Sequence, residues 1–535
     1  MKKLTIAVTI TAVVAALSTG VTVVASANPA APQRAAVDKA HLAWGNCQDP
    51  ELAAFNAQCA LLSVPLDYAH PNGKHIKIAV SRVLHTSSDA AYQGAILVNP
   101  GGPGGAGLSL ATLGQDVPQH AGDDYDWIGF DPRGVGASRP AMRCQPNYFH
   151  ANRPDYRPRT QQLVDTWLAR SKHYADSCAK KYPRLIHHMT TAEVARDMDQ
   201  IRKALGVSQI SFFGFSYGTY LGQVYATLFP THVRRMVLDS NVDPHRVWYH
   251  ANLDQDRAFN RNSKIWFRWV AKYHRHYGLG SSESAVETKW YDVLNKLAQH
   301  PAGGELGPDE WSDTFLYAGY YRFTWLELGE AFAGYVHHHR WRAVMSLYRA
   351  FNGPGDDNGF AVYSAVQCTD APWPKSWSTW KADNTRISAK APFLTWGNAW
   401  FNAPCLYWHA GARKAVDITG VGIHSALLID ETLDAATPFH GSLVVRKLFP
   451  HSSLIAEPGG ATHADSLSGD RCVDNAIASY LATGKRPPRQ RWNGPDYLCR
   501  PLPDPSPPRG SAAHTARPQF DLQRMSPLLR AALRG

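Results

Sequence analysis

The sequence predicts an α/β fold, a mostly parallel sheet with an inserted, Trp-rich helical cap, and three observations carry that reading. From about residue 60 to 245, runs of Val, Ile, Leu and Phe alternate with segments of helical period, as in parallel strands whose connecting helices cover both faces. Between Trp248 and Trp408 lie 13 of the 17 tryptophans, and there the apolar spacing turns helical. Strand-and-helix texture returns at Ala426 and continues to Ala482.

The chain opens with Lys2 and Lys3, an apolar run from Leu4 to Val24, and Ala25-Ser26-Ala27, a small-x-small cleavage site. Residues 1–27 therefore read as a signal peptide cleaved after Ala27, which predicts a secreted or extracellular protein with no stable membrane insertion after cleavage. The Ala/Pro-rich residues 28–40 read as a linker or propeptide. The first part of the core, 41–245, holds strands at 76–80, 95–98 and 126–130. A helix over 192–205 follows, with Val194, Met198, Ile201 and Leu205 on one face. A strand at 210–213, a helix over 219–229 and a buried-type strand at 236–239 complete this part. The cap is expected over 246–410. The C-terminal part of the core, 411–490, holds strands at 426–429 and 453–455 and a helix over 472–482. Residues 491–535 read as a Pro-rich tail with little capacity to bury surface.

Composition narrows the classes. A 535-residue chain with 44% hydrophobic residues can bury a large core, which excludes disorder as the dominant state. The net charge of +11 is scattered without a Lys/Arg block, so nucleic acid is not an expected partner, whereas association with an anionic cell wall is compatible with it. In an exported chain the eight cysteines read as disulfides. On the order of 100 pairings are formally open, but the residues fall into neighbouring couples, Cys47 with Cys59, Cys144 with Cys178, Cys368 with Cys405 and Cys472 with Cys499. No C-x2-C spacing supports zinc, and the consecutive histidines 187–188 and 337–339 project in different directions, so neither a metal nor a cofactor is expected.

The chemistry centres on Gly214-Phe215-Ser216-Tyr217-Gly218. This G-x-S-x-G lies between a strand and a helix, where small flanking residues let the backbone turn sharply and present Ser216 as a nucleophile in an α/β-hydrolase fold. Its base and orienting acid should follow in the order Asp, His after later strands. His463, in Gly459-Gly460-Ala461-Thr462-His463, suits the base. Asp434 suits the acid because it sits on a loop, with Asp430 at the strand end as its rival, and Thr437 is placed to steady that loop. Asn99 to Gly107 follows an early strand, where the N–H groups of Gly101 and Gly102 would form an oxyanion hole with that of Tyr217. The same stretch matches G-x-G-x-x-G, but Pro103 removes an N–H from a phosphate cradle, which argues against a dinucleotide site.

Asn99 to Gly107, Gly129 to Ser138, Gly214 to Gly218, Leu238 to Pro244 and Asp434 to Pro438 together resemble the secreted tripeptidyl aminopeptidases, relatives of the prolyl iminopeptidases among the α/β-hydrolases. The resemblance runs from about Trp44 to Pro487 and includes Cys368-Thr369-Asp370 and Cys405. Glu431 and Thr462 depart from it, standing where such sequences often carry Gly. It implies a serine exopeptidase releasing short peptides, tripeptides in the family's usual activity, from substrates with free N-termini, with Ser216, Asp434 and His463 as its triad. A carboxylesterase or lipase would use the same triad, and a non-catalytic hydrolase-fold binding protein would have lost it. An exopeptidase must also hold the substrate ammonium, for which the cap offers Glu327 and Glu330, three residues apart on one helix face; a solvated helix face is the competing reading.

Overall fold

The computed structural model describes residues 42–508, so the expected signal peptide, the linker or propeptide at 28–40 and the tail beyond 508 lie outside the described residues. Ten strands form one sheet among them: β1 (Gly45–Asn46), β2 (Gln58–Pro65), β3 (His75–Val83), β4 (Ala95–Asn99), β5 (Asp126–Asp131), β6 (Ile210–Phe215), β7 (Val233–Asp239), β8 (Ala426–Glu431), β9 (Ser452–Glu457) and β10 (Tyr497–Leu498). Their spatial order is β1-β2-β3-β5-β4-β6-β7-β8-β9-β10. The first four pair antiparallel, and from β5 to β10 every pairing is parallel.

Period-2 alternation sends successive residues of the central strands to opposite faces. Leu97, Phe212, Leu238 and Leu428 join a core with the helices Gln161–Lys181, Thr191–Ala204 and Tyr217–Leu228. Their neighbours Val98, Phe213, Val237 and Leu427 pack with the helix Arg471–Thr483 on the other face. Burial on both faces is why these strands read as unbroken apolar runs.

The helices from Tyr249–Lys272 to Thr395–Asn402 are inserted between β7 and β8. Trp266, Trp269, Trp290, Trp311 and Trp325 fill a core of their own. Trp373, Trp380, Trp400 and Trp408 instead join the core beneath the sheet, so the aromatic segment is in part the cap's interior and in part its attachment. None of the described helices is long and apolar enough to cross a membrane.

The C-terminal residues correct the sequence reading. Among the described residues, 491–508 are not a loose tail, since the chain adds β10 parallel to β9. Asp496 takes a bidentate bond from Arg446 at 2.8 and 2.6 Å, and Pro505 O accepts the Trp269 indole N–H at 2.8 Å. Backbone pairing and ion-pair chemistry, not apolar composition, hold this segment. The disulfides join Cys47 to Cys59, Cys144 to Cys178, Cys368 to Cys405 and Cys472 to Cys499, the last fastening β10 to the helix Arg471–Thr483.

Beyond β5, Arg133 is 0% exposed and makes a forked bond to Asp197 at 2.8 and 2.7 Å. Its remaining N–H groups reach Leu66 O and His188 O, which ties three segments to one cation. Asp197→Asn should cost about 3–5 kcal/mol in urea unfolding, because it strips a buried guanidinium of its closest acid. Arg133→Met with Asp197→Leu should recover most of that loss. An Asp197→Asn variant with the wild-type midpoint would show that the pair is dispensable.

Candidate active site

β6 ends in the turn that carries Ser216, whose φ of 56° and ψ of −126° place it outside the regions an L-residue ordinarily occupies. The flanking glycines are required by crowding. A Cβ on Gly214 would stand 2.5 Å from Gly218 O, and one on Gly218 would stand 2.6 Å from Asn99 O. Ser216 N–H donates to Asp239 O at 3.0 Å, anchoring the turn to the end of β7.

Asp434 and His463 come from the loops after β8 and β9. His463 Nδ1 lies 2.7 Å from Asp434 Oδ2, with the two side chains 5% and 0% exposed. With Nδ1 engaged, Nε2 is the ring nitrogen left to accept a proton. Asp434 also accepts the N–H groups of Ala436 and Thr437 at 2.8 and 3.2 Å and the Thr437 hydroxyl at 2.9 Å. Burial would raise its pKa, but the neighbouring His463 and these donors outweigh burial and hold the carboxyl below its usual range. Asp430, the rival, is spent otherwise. It accepts the Ser442 hydroxyl at 2.5 Å, and burial together with the nearby Asp434 pushes its pKa well above normal. Among the described residues the Ser216 hydroxyl makes no hydrogen bond to His463, a looseness common in substrate-free sites.

The oxyanion reading is corrected at one position. Gly101 N–H donates to Asn99 Oδ1 at 3.1 Å, so it is not a free donor. Gly101 serves by being small: a Cβ there would lie 2.6 Å from Phe215 O and 2.9 Å from Ser216 Cβ. The N–H groups of Gly102 and Tyr217 have no acceptor among the described residues and remain the candidate pair. Behind them, Asp131 accepts the N–H groups of Gly107 and Ala137, each at 2.8 Å, which fixes the glycine-rich loop against β5.

Two contributors had no assigned role in the sequence. Ser240 accepts the Ala464 N–H at 2.8 Å, and Asp239 Oδ2 accepts that of Ser466 at 2.8 Å, so the end of β7 holds both the Ser216 turn and the His463 loop. The positive φ of Ser240, 64°, is the backbone feature that turns it toward the histidine loop, and no local pattern announces it. From the cap, Tyr320 O accepts His463 N–H at 2.8 Å, while Arg261 and Asn262 donate to Leu433 O at 2.5 and 2.9 Å. Glu330, by contrast, lies 2.6 Å from His276, and Glu327 is its neighbour beside Tyr277, so these two acids pack against the helix His274–Tyr277 and touch neither Asp434 nor His463.

An α/β-hydrolase-fold family model matches residues 94–328, and a model described as TAP-like protein matches 391–492. The tripeptidyl aminopeptidase of Streptomyces lividans is 39% identical over 492 residues, covering 90% of each chain. Serine protease Hip1 of Mycobacterium tuberculosis is 28% identical over 81% of this chain and 86% of that one. A protein of the same organism named carboxylesterase B is 30% identical over 83% and 88%.

Asp434→Asn should lower kcat on a peptide amide by about 10⁴, as expected when the acid no longer fixes the imidazole tautomer. Asp430→Asn should cost less than about tenfold, since that carboxyl touches Ser442 and not His463. The reverse ranking in steady-state kinetics would transfer the orienting role to Asp430.

Proposed function

We propose, from the premise that this chain belongs to the tripeptidyl aminopeptidase family of α/β-hydrolases, that it is an exported serine exopeptidase releasing short peptides, tripeptides in the main, from free N-termini. That it is a serine hydrolase of the peptidase kind follows from the family. The buried Asp434–His463 pair at 2.7 Å supports the hydrolytic chemistry, and the observation that carries the finer reading is the 39% identity to a tripeptidyl aminopeptidase over 90% of each chain.

In this reading Ser216 Oγ attacks the carbonyl carbon of the third residue and passes its proton to His463 Nε2. The oxyanion that forms is held by the N–H groups of Gly102 and Tyr217, donors already oriented before reaction. Collapse transfers the proton from His463 to the departing amine and leaves the peptide acylated on Ser216. Water, deprotonated by the same imidazole, then hydrolyses the ester and regenerates the hydroxyl. Asp434 stays ionised throughout and stabilises the imidazolium. Export is supported by the N-terminal leader and by the four disulfides, which persist in oxidising compartments.

Mass spectrometry of products decides the specificity. Peptides with a free N-terminus should release N-terminal tripeptides, and their acetylated counterparts should be cut far more slowly. Ser216→Ala should lower turnover by on the order of 10⁶ without altering the fold. Equal cleavage of acetylated peptides would make the enzyme an endopeptidase, and hydrolysis of simple esters with no peptide turnover would favour the esterase reading.

A further inference from the structure

Beneath the catalytic loops lies a group of carboxylates that the proposed chemistry leaves unused. Glu431 and Glu457 end β8 and β9 as directly paired neighbours, and Asp465 follows His463 by two residues. One carboxylate oxygen from each lies within 4.8 Å of the other two. The three residues are 3%, 1% and 8% exposed, and none has an ion-pair partner within 4 Å among the described residues. Arg322, whose charge acts on Glu431, is bonded to Gly459 O and to Asp504, the latter at 2.8 Å. Glu431 has one defined donor, the Thr462 N–H. A separate observation concerns what fills the remaining space: Glu457 Oε1 and Asp465 Oδ2 are fully buried with no hydrogen-bond partner. Carboxylate oxygens shut away from water without donors require either protons or a cation.

We infer that Glu431, Glu457 and Asp465 form a calcium site that clamps the loops carrying Asp434 and His463. The donor set is oxygen only, which selects a hard cation over zinc or copper. Three oxygens within 4.8 Å of one another can surround one ion at the calcium–oxygen distance of about 2.3–2.6 Å, and calcium accepts the irregular, all-protein carboxylate sets that magnesium, which keeps its waters, seldom takes. Bound calcium would join the ends of β8 and β9 to the segment after the histidine, and so hold the acid and the base in register from below.

The test uses the full mature protein. After gel filtration in about 1 mM calcium, a concentration that fills sites of extracellular type, elemental analysis should find one calcium per chain. EDTA should lower the melting temperature by several degrees, with recovery on adding calcium but not magnesium. Glu457→Gln, which lies outside the triad, should lose both the bound calcium and the EDTA response. Absence of bound calcium together with an EDTA-insensitive melt would overturn the inference and leave a cluster neutralised by protons. Equal recovery with magnesium, or an undiminished calcium response in Glu457→Gln combined with Asp465→Asn, would overturn it as well. Should the variants fail to fold, the metal content and melt of the unaltered protein decide the matter alone.

Discussion

A carboxylate with no exposed surface stays charged only where its surroundings replace the lost water, and around Asp434 they do. Two backbone N–H groups, the Thr437 hydroxyl and His463 Nδ1 converge on its two oxygens. That convergence requires the loop after β8 to curl tightly, the loop after β9 to lie across it, and the cap to press on both. Gln255, Arg261 and Asn262, on one cap helix, donate to Ala436 O, Leu433 O and Asp434 O, so the insertion acts on the acid's loop through the backbone. The charged pair and the architecture around it are therefore one arrangement.

The sheet supplies the frame. In a parallel sheet all C-terminal strand ends emerge on one edge, and Ser216, Asp434 and His463 follow β6, β8 and β9 there. β7 lies between β6 and β8, and its terminal residues bind in both directions: Asp239 O holds Ser216 N–H, and Ser240 Oγ holds Ala464 N–H. Strain at Ser216 is tolerated because these neighbours over-determine the turn.

The strands are legible because burial on both faces leaves continuous apolar runs, and the Ser216 turn because crowding at Gly214 and Gly218 admits no side chain. The placing of an acid and a histidine after later strands follows from the same topology. Contacts between residues far apart in the chain left no such mark. Glu330 meets a histidine 54 residues earlier, and the His463 N–H meets the Tyr320 carbonyl of the cap. The segment after 491 looked like a tail because it is poor in apolar residues, yet Asp496 and the backbone of β10 bind it to the sheet. The carboxylates Glu431, Glu457 and Asp465 form no motif, since strand pairing aligns the first two and the loop after β9 returns the third to them.

In the proposed mechanism Ser216 is a nucleophile activated by the imidazole that Asp434 holds. The most direct measurement is reaction with a fluorophosphonate followed by intact-mass and peptide mapping. One adduct per chain is expected, on the peptide containing Ser216, forming far faster in the wild type than in a His463→Ala variant. An adduct on another residue, or labelling of Ser216 at the same rate without His463, would contradict it.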